Sequence, residues 1–199
     1  MNGGPAFSPA SERNKFPILE QLRKWLSPGA RVLEIGSGLG QHAAFFCEAM
    51  PSLKWQVSER SAALPDLECG LLTLGADHLR SPLQLDVLED PWPGSLFDAV
   101  YTANTAHIMP WEGVEHLVRG AANSLEPGGM LIFYGPFNIG GRYTSEGNRA
   151  FDADLRERDC GMGIRNVEDI DKLARRQHMM LHERIDMPAN NMMLVYARD

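Results

Sequence analysis

The chain has 199 residues, of which 44% are apolar and 23% charged, a composition typical of one globular domain with a full hydrophobic core. Asp and Glu number 26 against 19 Lys and Arg, and the resulting net charge of −7 disfavours non-specific binding to nucleic acid or to an anionic membrane. The three cysteines lack metal-binding spacing, the N-terminus lacks the pattern of a signal peptide, and no apolar run approaches the roughly 18 residues of a membrane span. We therefore expect a single cytoplasmic domain over residues 1–199 with no bound metal.

The first half of the chain alternates between predicted helices and strands. Residues 1–10 are rich in Gly, Pro and Ser and are predicted to be irregular. An amphipathic helix over 11–26 follows, with Ser11 as its N-cap and Pro28-Gly29 as its stop. The next predicted elements are a strand at 31–35, a helix at 41–50, a strand at 53–59, a helix at 61–74 and strands at 83–87 and 97–102.

A glycine turn joins the first strand to the helix that follows it. Residues 31–41 have the sequence Arg-Val-Leu-Glu-Ile-Gly-Ser-Gly-Leu-Gly-Gln. A strand, a glycine turn and a helix in this order begin the nucleotide-binding half of a doubly wound α/β domain. A dinucleotide fingerprint places its third glycine where this chain has Gln41, so the spacing disfavours a nicotinamide cofactor. A plain turn without a ligand is the alternative interpretation.

The second half contains one long connection. A helix is predicted over 111–125, and Pro127-Gly128-Gly129 turns the chain into a strand at 130–134. Residues 135–163 are long for a passive connection and contain a predicted helix at 148–158, so we expect a functional insertion. The last predicted elements are a helix at 167–177 and strands at 179–186 and 192–197. The alternation of strands and helices predicts an α/β domain with a mostly parallel sheet.

The turn and the acid before it resemble motif I of the class I S-adenosylmethionine-dependent methyltransferases. The resemblance implies a Rossmann-like sheet of seven strands in the order 3-2-1-4-5-7-6, with S-adenosyl-L-methionine as the cofactor. It also implies that the cofactor is held by the segment after the first strand, namely Glu34, Gly36, Ser37, Gly38, Gly40 and Gln41.

Polar residues stand at the ends of the next three predicted strands, where ligands of open α/β sheets bind. Glu59 ends the second strand and is expected to accept hydrogen bonds from the ribose hydroxyls. Asp86 and Val87 end the third strand and are expected near the adenine, and Asn104 follows the fourth strand, near the methionine end. A solvated acid at 59 and a turn-capping acid at 86 are the alternatives.

Nearly the whole chain resembles a narrower family, that of methyltransferase-like protein 26 and its bacterial relatives (domain of unknown function 938). The residues that carry this resemblance are Ser8–Lys15, Asn104–Ile108 with Pro110-Trp111, Tyr134–Phe137 with Tyr143-Thr144 and Phe151-Asp152, and Met187–Asn191. The chain departs from the family pattern at Glu59, where Asp is expected, and at Met162 and Asn166, where Trp and Asp are expected. This family implies a fold and a cofactor but no methyl acceptor.

Methyl transfer requires alignment of the reactants and, where the acceptor loses a proton, a general base. His107 is the candidate base, Tyr134 is a second candidate catalytic residue, and Tyr143 and Arg142 are candidates for the acceptor pocket. Arg13, Asn14 and Lys15 are candidates for closing over the cofactor carboxylate or an acidic acceptor, with a solvated helix start as the alternative. A structural histidine is the alternative at position 107.

The acceptor is expected to be a small molecule or a protein side chain. The Asn-Pro-Pro-Tyr and Asp-Pro-Pro-Tyr tetrapeptides of many nucleobase and amide methylases do not follow the fourth strand, which together with the acidic charge disfavours a nucleic-acid substrate. Two other classes stay open at this point: a cofactor-binding scaffold or regulatory protein without turnover, and a nicotinamide oxidoreductase. The sequence indicates no oligomeric state.

Overall fold

The computed structural model describes residues 7–79 and 81–199, and the N-terminal residues 1–6, predicted to be irregular, lie outside it. The helices are α1 (Pro9–Trp25), α2 (Gln41–Ala49), α3 (Leu64–Thr73), α4 (Trp111–Ser124), α5 (Glu146–Arg158) and α6 (Val167–Arg176). The strands are β1 (Arg31–Ile35), β2 (Lys54–Glu59), β3 (Leu83–Gln84), β4 (Phe97–Ala103), β5 (Leu125–Gly135), β6 (Phe137–Asn138), β7 (Arg165–Asn166), β8 (Met179–Met187) and β9 (Asn191–Arg198). Short 3₁₀ turns cover Ser61–Ala63, Asp77–Leu79 and Pro188–Asn190.

Seven strands form one sheet in the order β3-β2-β1-β4-β5-β9-β8. The first five strands are parallel to one another, whereas β9 runs antiparallel to both β5 and β8. Numbered among themselves, the seven strands have the predicted order 3-2-1-4-5-7-6. The added strands β6 and β7 pair only with each other, in the connection after β5. The predicted α/β methyltransferase-type fold is therefore confirmed.

Helices cover both faces of the sheet because side chains of the central strands alternate between two apolar layers. Leu33 and Val100 face the layer that contains α4 and α6. Val32 and Tyr101 face the other layer, which contains α1, α2 and α3. The strands at the centre are thus buried on both faces, as expected for a parallel sheet.

Three elements differ from the sequence prediction for local reasons. Helix α1 begins at Pro9, because the Ser8 side chain, not that of Ser11, caps it by accepting from the Ser11 amide at 3.3 Å. Strand β3 has two residues rather than five, since Asp86 enters a turn. The pairing of β5 begins at Leu125 opposite Phe97 and resumes at Met130 opposite Ala99, so the predicted turn at 127–129 is an irregularity within the strand.

No helix in the described ranges is long and apolar enough to cross a membrane. Within residues 7–79 and 81–199, no group of three or more His, Cys, Asp or Glu side chains has the arrangement of a metal site.

Helix α3 packs directly against the glycine turn. A Cβ atom at Gly70 would lie 2.2 Å from the Leu39 carbonyl oxygen, so only glycine permits this approach. This close contact fixes the position of the turn relative to α3.

We predict that Gly70→Ala lowers the free energy of unfolding by about 1–3 kcal/mol, because backbone atoms of the turn must move. Urea denaturation measures the change. Gly147→Ala is the matched control, since Gly147 is also helical and its nearest neighbour, Ser145 Oγ, is 3.7 Å from the Cβ position. Equal stability of the two variants would show that α3 does not fix the turn.

Candidate cofactor and acceptor site

A cavity of about 930 Å³ lies at the carboxyl edge of the sheet. It is lined by the residues that follow β1, β2, β3, β4 and β5, and it is covered by the start of α1, by α5 and by the 188–191 turn. The centre of this edge is the switch point, where β1 lies between β2 and β4. Ligands of open α/β sheets bind at this position.

The glycine turn after β1 is held by the end of β2. The Ser37 amide donates to the Ser58 carbonyl at 2.9 Å, and the Gly38 amide donates to Glu59 Oε2 at 2.9 Å. The Gly40 amide donates to the Ser37 carbonyl at 2.9 Å. Three amides of the turn therefore have protein partners. Gly36, at φ +71°, allows close approach of the β4 loop, since a Cβ there would lie 2.7 Å from Thr105 Cγ2.

Glu34 lies under the turn as a buried acid, with 2% of its surface exposed. Burial raises its pKa to about 7, and the neighbouring Glu59 charge adds to the rise, whereas hydrogen bonds from Trp55 and Ser37 oppose it. Trp55 Nε1 donates to Glu34 Oε2 at 3.0 Å. The carboxyl group thus exchanges its proton close to neutral pH.

The start of α1 is joined to the start of α2. The Ser8 amide donates to Gln41 Oε1 at 2.7 Å, and Asn14 Oδ1 lies 2.7 Å from His42 Nε2. Burial lowers the pKa of His42 to about 4, so the imidazole is neutral and Nε2 donates to Asn14. Gln41 Nε2 is buried in the cavity lining and has no hydrogen-bond partner within the described residues. A buried donor without a protein partner is a group that a bound ligand can satisfy.

The loop after β4 brings Asn104 and His107 to the cavity. Asn104 has a left-handed backbone, φ +59°, and its amide donates to the Tyr134 carbonyl at 2.8 Å. His107 is 5% exposed, and burial, reinforced by the Arg165 charge, lowers its pKa to about 4. The ring of Phe151 from α5 packs edge-on against it with centroids 5.3 Å apart. His107 is therefore neutral at physiological pH.

Tyr134 and Asp86 lie at opposite ends of the lining. Burial raises the pKa of Tyr134, while hydrogen bonds from Asn14 and Asn191 oppose the rise. Asp86 Oδ1 accepts from the Leu88 amide at 3.0 Å and so caps its own turn, the local role that the sequence left as an alternative. Asp86 and Val87 nevertheless both line the cavity.

The insertion is anchored by a buried carboxylate. Asp152 is 1% exposed and accepts from the Tyr143 hydroxyl at 2.7 Å, from Arg156 Nε at 2.7 Å and from the Ile164 amide at 2.6 Å. Asn148 Nδ2 donates to the Asn190 carbonyl at 3.0 Å. These bonds hold α5 over the cavity and against the 188–191 turn.

The structure brings most of the sequence-predicted residues to one cavity. Those in its lining are Arg13, Asn14, Glu34, Gly36, Ser37, Gly38, Gln41, Glu59, Asp86, Val87, Asn104, His107 and Tyr134. Lys15 and Gly40 lie outside the lining: the Lys15 ammonium pairs with Glu12 and lies 4.8 Å from the centroid of the Phe45 ring, and a Cβ at Gly40 would meet Leu71. Tyr143 and Arg142 also lie outside it.

Sequence reasoning assigned no role to several residues that build the site. Asn148 and Phe151 line the cavity from α5, and Pro188, Ala189 and Asn191 line it from the β8–β9 turn. The Phe151-Asp152 pair and the 187–191 segment were among the motifs of the family resemblance, which was the available signal. Gly70 carried no signal, because its contact with Leu39 depends on tertiary packing.

The family model for a protein of unknown function (DUF938) matches residues 5–198 of the chain. A similar curated protein is 27-O-demethylrifamycin SV methyltransferase of Amycolatopsis mediterranei (strain S699), which is 29% identical over 149 residues, or 74% of this chain and 52% of that protein.

Solved structures of O-methyltransferases have the same fold. An O-methyltransferase family protein from Burkholderia thailandensis superposes with a TM-score of 0.81 at 15% identity, over 96% of this chain and 57% of that one. The mitomycin 7-O-methyltransferase MmcR gives a TM-score of 0.79 at 16% identity, over 96% and 55%. The S-adenosylmethionine-dependent methyltransferase SibL, in its apo form, gives 0.77 at 22%, over 95% and 55%. The chain thus spans little more than half the length of these relatives.

We predict that the stability difference between Glu34→Gln and the wild type depends on pH. The Glu34 carboxyl ionises near 4.5 in the unfolded chain and near 7 in the folded one, so the folded state retains the proton between these values. The wild type therefore loses stability relative to Glu34→Gln as pH rises from 4.5 to 7, by about 3 kcal/mol in total.

Urea unfolding of both proteins between pH 4.5 and 8 checks this prediction, because titrating groups that do not interact with Glu34 cancel in the difference. Glu68→Gln, at an exposed position of α3, is the control for the change from a carboxyl to an amide. A constant difference for Glu34→Gln would contradict the raised pKa.

Proposed function

We propose that this chain, which belongs to the DUF938 family and has the class I methyltransferase fold, transfers a methyl group from S-adenosyl-L-methionine to a small-molecule or protein acceptor. The observation that carries the proposal is the structure of the glycine turn. Its Ser37 and Gly38 amides donate to the end of β2, and beside it the buried Gln41 Nε2 has no hydrogen-bond partner among the described residues. When bound, the cofactor supplies a methyl group on a positively charged sulfur.

The lining fits this cofactor in its charge and its polar groups. Glu59 and Asp86 offer carboxylate oxygens to hydroxyl and amino groups at the β2 and β3 ends of the cavity. Gln41 Nε2 and Arg13 offer donors suited to the carboxylate of an amino acid, and Asn104 faces the same region from the β4 loop. Glu34 adds negative charge when it loses its proton, and its ionised form favours a cationic ligand.

The same turn disfavours a dinucleotide. A pyrophosphate cradle needs free backbone amides at the start of the helix. Here the amides of Ser37, Gly38 and Gly40 donate to protein oxygens, and one of those oxygens belongs to the carboxylate of Glu59, which would repel phosphate. These contacts disfavour a nicotinamide cofactor and therefore the oxidoreductase alternative.

The chain's own contribution to catalysis is alignment, exclusion of water and acceptance of a proton. Helices α1 and α5 cover the cavity and reduce solvent access to the reacting groups. His107 is neutral, so its imidazole can accept a proton from the acceptor as that group begins to bond and becomes more acidic. Tyr134 places a hydroxyl group in the same part of the lining.

The proposal is tested by incubating the purified chain with S-adenosylmethionine labelled in its methyl group and a metabolite or protein extract. Labelling of a defined compound or protein supports methyl transfer. Tight binding of the cofactor in calorimetry, with no labelled product in any fraction, would instead indicate a cofactor-binding scaffold protein. Binding of neither the cofactor nor its demethylated product would contradict the proposal altogether.

We predict that Glu59→Ala weakens cofactor binding ten- to a hundredfold, because hydrogen bonds to a charged group contribute roughly 1.5–3 kcal/mol. Isothermal titration calorimetry with S-adenosylhomocysteine measures the change. Glu68→Ala is the matched control on the exposed face of α3. If Glu59→Ala changes the affinity for S-adenosylhomocysteine by less than about twofold, the effect is smaller than that of one such hydrogen bond, and Glu59 does not bind the cofactor.

We expect His107→Ala to lower kcat by roughly 10²–10⁴-fold, the usual contribution of a general base, while S-adenosylhomocysteine binds as tightly as to the wild type. Once an acceptor is identified, steady-state rates and calorimetry on the same preparation give both values. Loss of cofactor affinity in proportion to the loss of rate would assign His107 a structural role.

We propose that the 135–163 insertion and the Arg13–Lys15 segment act as a cover over the cavity, with the insertion over its acceptor side and Arg13 near the cofactor carboxylate. Cofactor binding is then expected to slow amide hydrogen exchange in the first two turns of α1 and in α5 more than in α6, which lies outside the cavity lining. Hydrogen-exchange mass spectrometry compares these segments directly. Protection confined to residues 34–59 would contradict a cover.

A further inference from the structure

The cavity lining is divided by charge. Its charged side chains are Arg13, Glu34, Glu59, Arg60 and Asp86. They come from α1 and from the ends of β1, β2 and β3. The lining contributed by the β4 loop, the end of β5, helix α5 and the β8–β9 turn contains no Asp, Glu, Lys or Arg among the described residues. We call this second part the acceptor half, because the cofactor-fitting groups lie mainly in the first.

Most polar side chains of the acceptor half already have protein partners. Asn148 Nδ2 donates to Thr144 Oγ1 at 2.8 Å and to the Asn190 carbonyl at 3.0 Å. Asn191 Nδ2 donates to the Pro188 carbonyl at 3.1 Å, and the Thr105 hydroxyl bonds to that of Thr102. A ligand in this half therefore meets few groups that could replace the water around an ion.

Arg165 is the nearest cation behind the β4 loop, and three of its five N–H donors are occupied. Its Nε donates to the Ala106 carbonyl at 3.0 Å, and one terminal nitrogen donates to the carbonyls of Met109 and Gly161 at 2.5 and 2.7 Å. It lies outside the lining and lowers the pKa of His107. It therefore keeps His107 neutral rather than receiving an anion from the cavity.

His107 and Asn104 are the polar groups of the acceptor half whose side chains make no hydrogen bond within the described residues. Within the part of the chain that the structure describes, neither ring nitrogen has a hydrogen-bond partner, and the ring is 5% exposed at the cavity. Around it lie the apolar side chains of Ile108, Met109 and Phe151. An ionised ligand would lose its hydration here without a compensating charge, which is costly, whereas an apolar ligand gains from burial.

We propose that the methyl acceptor is a small, uncharged, largely apolar hydroxyl compound whose hydroxyl group meets His107. This inference rests on the proposed function and narrows its acceptor. In the transfer, the hydroxyl oxygen forms a bond to the methyl carbon while the carbon–sulfur bond breaks and its electron pair stays on sulfur. The hydroxyl proton passes to the free nitrogen of His107 and then to solvent, so the products are a neutral methyl ether and a neutral thioether.

The test compares matched neutral and charged probes on the full chain saturated with S-adenosylhomocysteine. The pairs are phenol with 4-hydroxybenzoate and 2-naphthol with 6-hydroxy-2-naphthoate, and calorimetry or probe fluorescence measures their binding. The neutral member is expected to bind at least tenfold more tightly, and 2-naphthol is expected to yield its methyl ether when S-adenosylmethionine is supplied. Equal or tighter binding of the carboxylates, or no binding of either neutral probe to the loaded protein, overturns the proposal.

A charge placed in the acceptor half is expected to reverse this preference. Ile108 lines the cavity at its rim and is 49% exposed, so Ile108→Lys is tolerated by the fold. It should strengthen binding of 6-hydroxy-2-naphthoate at least tenfold, whereas Leu72→Lys, at a 56% exposed position outside the lining, should not. If Ile108→Lys leaves the ratio of the affinities for 2-naphthol and 6-hydroxy-2-naphthoate unchanged, this surface does not contact the acceptor.

S-adenosylhomocysteine affinity, measured first in every variant, separates this inference from the proposed function. If S-adenosylhomocysteine binds but the neutral probes do not bind more tightly than the carboxylates, the acceptor class is wrong and the cofactor assignment stands. If S-adenosylhomocysteine does not bind, the proposed function itself fails.

Discussion

The site depends on the attachment of the glycine turn to the end of β2. Hydrogen bonds from the Ser37 and Gly38 amides to Ser58 and Glu59 fix the turn from one side, and the contact of Gly70 with Leu39 fixes it from the other. With these amides occupied and the Glu59 carboxylate beside them, the turn is poorly suited to act as the anion cradle that a pyrophosphate requires. The edge of the cavity beside the turn is instead rich in carboxylates, which suit hydroxyl groups and positive charge.

The second constraint is the attachment of α1 and α5 to the elements beside them. Ser8 and Asn14 of α1 bond to Gln41 and His42 of α2, and Asn148 of α5 bonds to the β8–β9 turn. Buried polar pairs of this kind are costly when one partner is lost, so they specify where the covering segments lie. The residues at this turn also have a strained backbone, since Ala189 and Asn190 both have φ of +58° beside the cavity. Strain in non-glycine residues is concentrated at functional positions.

Alternating local patterns predicted the α/β sheet and the edge at which its strand ends meet, whereas the strand order and the roles of the site residues came from the resemblance to the class I methyltransferases. The apolar run at 31–35 and the glycines after it define β1 and its turn, and strand ends of a parallel sheet meet at one edge. The parts that sequence reasoning missed depend on contacts between distant segments. The packing of Gly70 on Leu39 and the anchoring of α5 by Asp152 involve partners that no local pattern identifies. Lys15 is a residue for which the local pattern misled. It follows Asn14 in the sequence, but successive side chains of a helix point about 100° apart, so Lys15 lies against Glu12 and Phe45.

The most direct measurement is a calorimetric comparison of S-adenosylhomocysteine and NAD⁺ binding to the full chain at neutral pH. The account predicts one molecule of S-adenosylhomocysteine bound per chain with micromolar affinity and no detectable heat from NAD⁺, because the amides of the glycine turn are occupied by Ser58 and Glu59. Binding of NAD⁺ with comparable or higher affinity would contradict it, since it would require these amides to leave β2 and face a pyrophosphate.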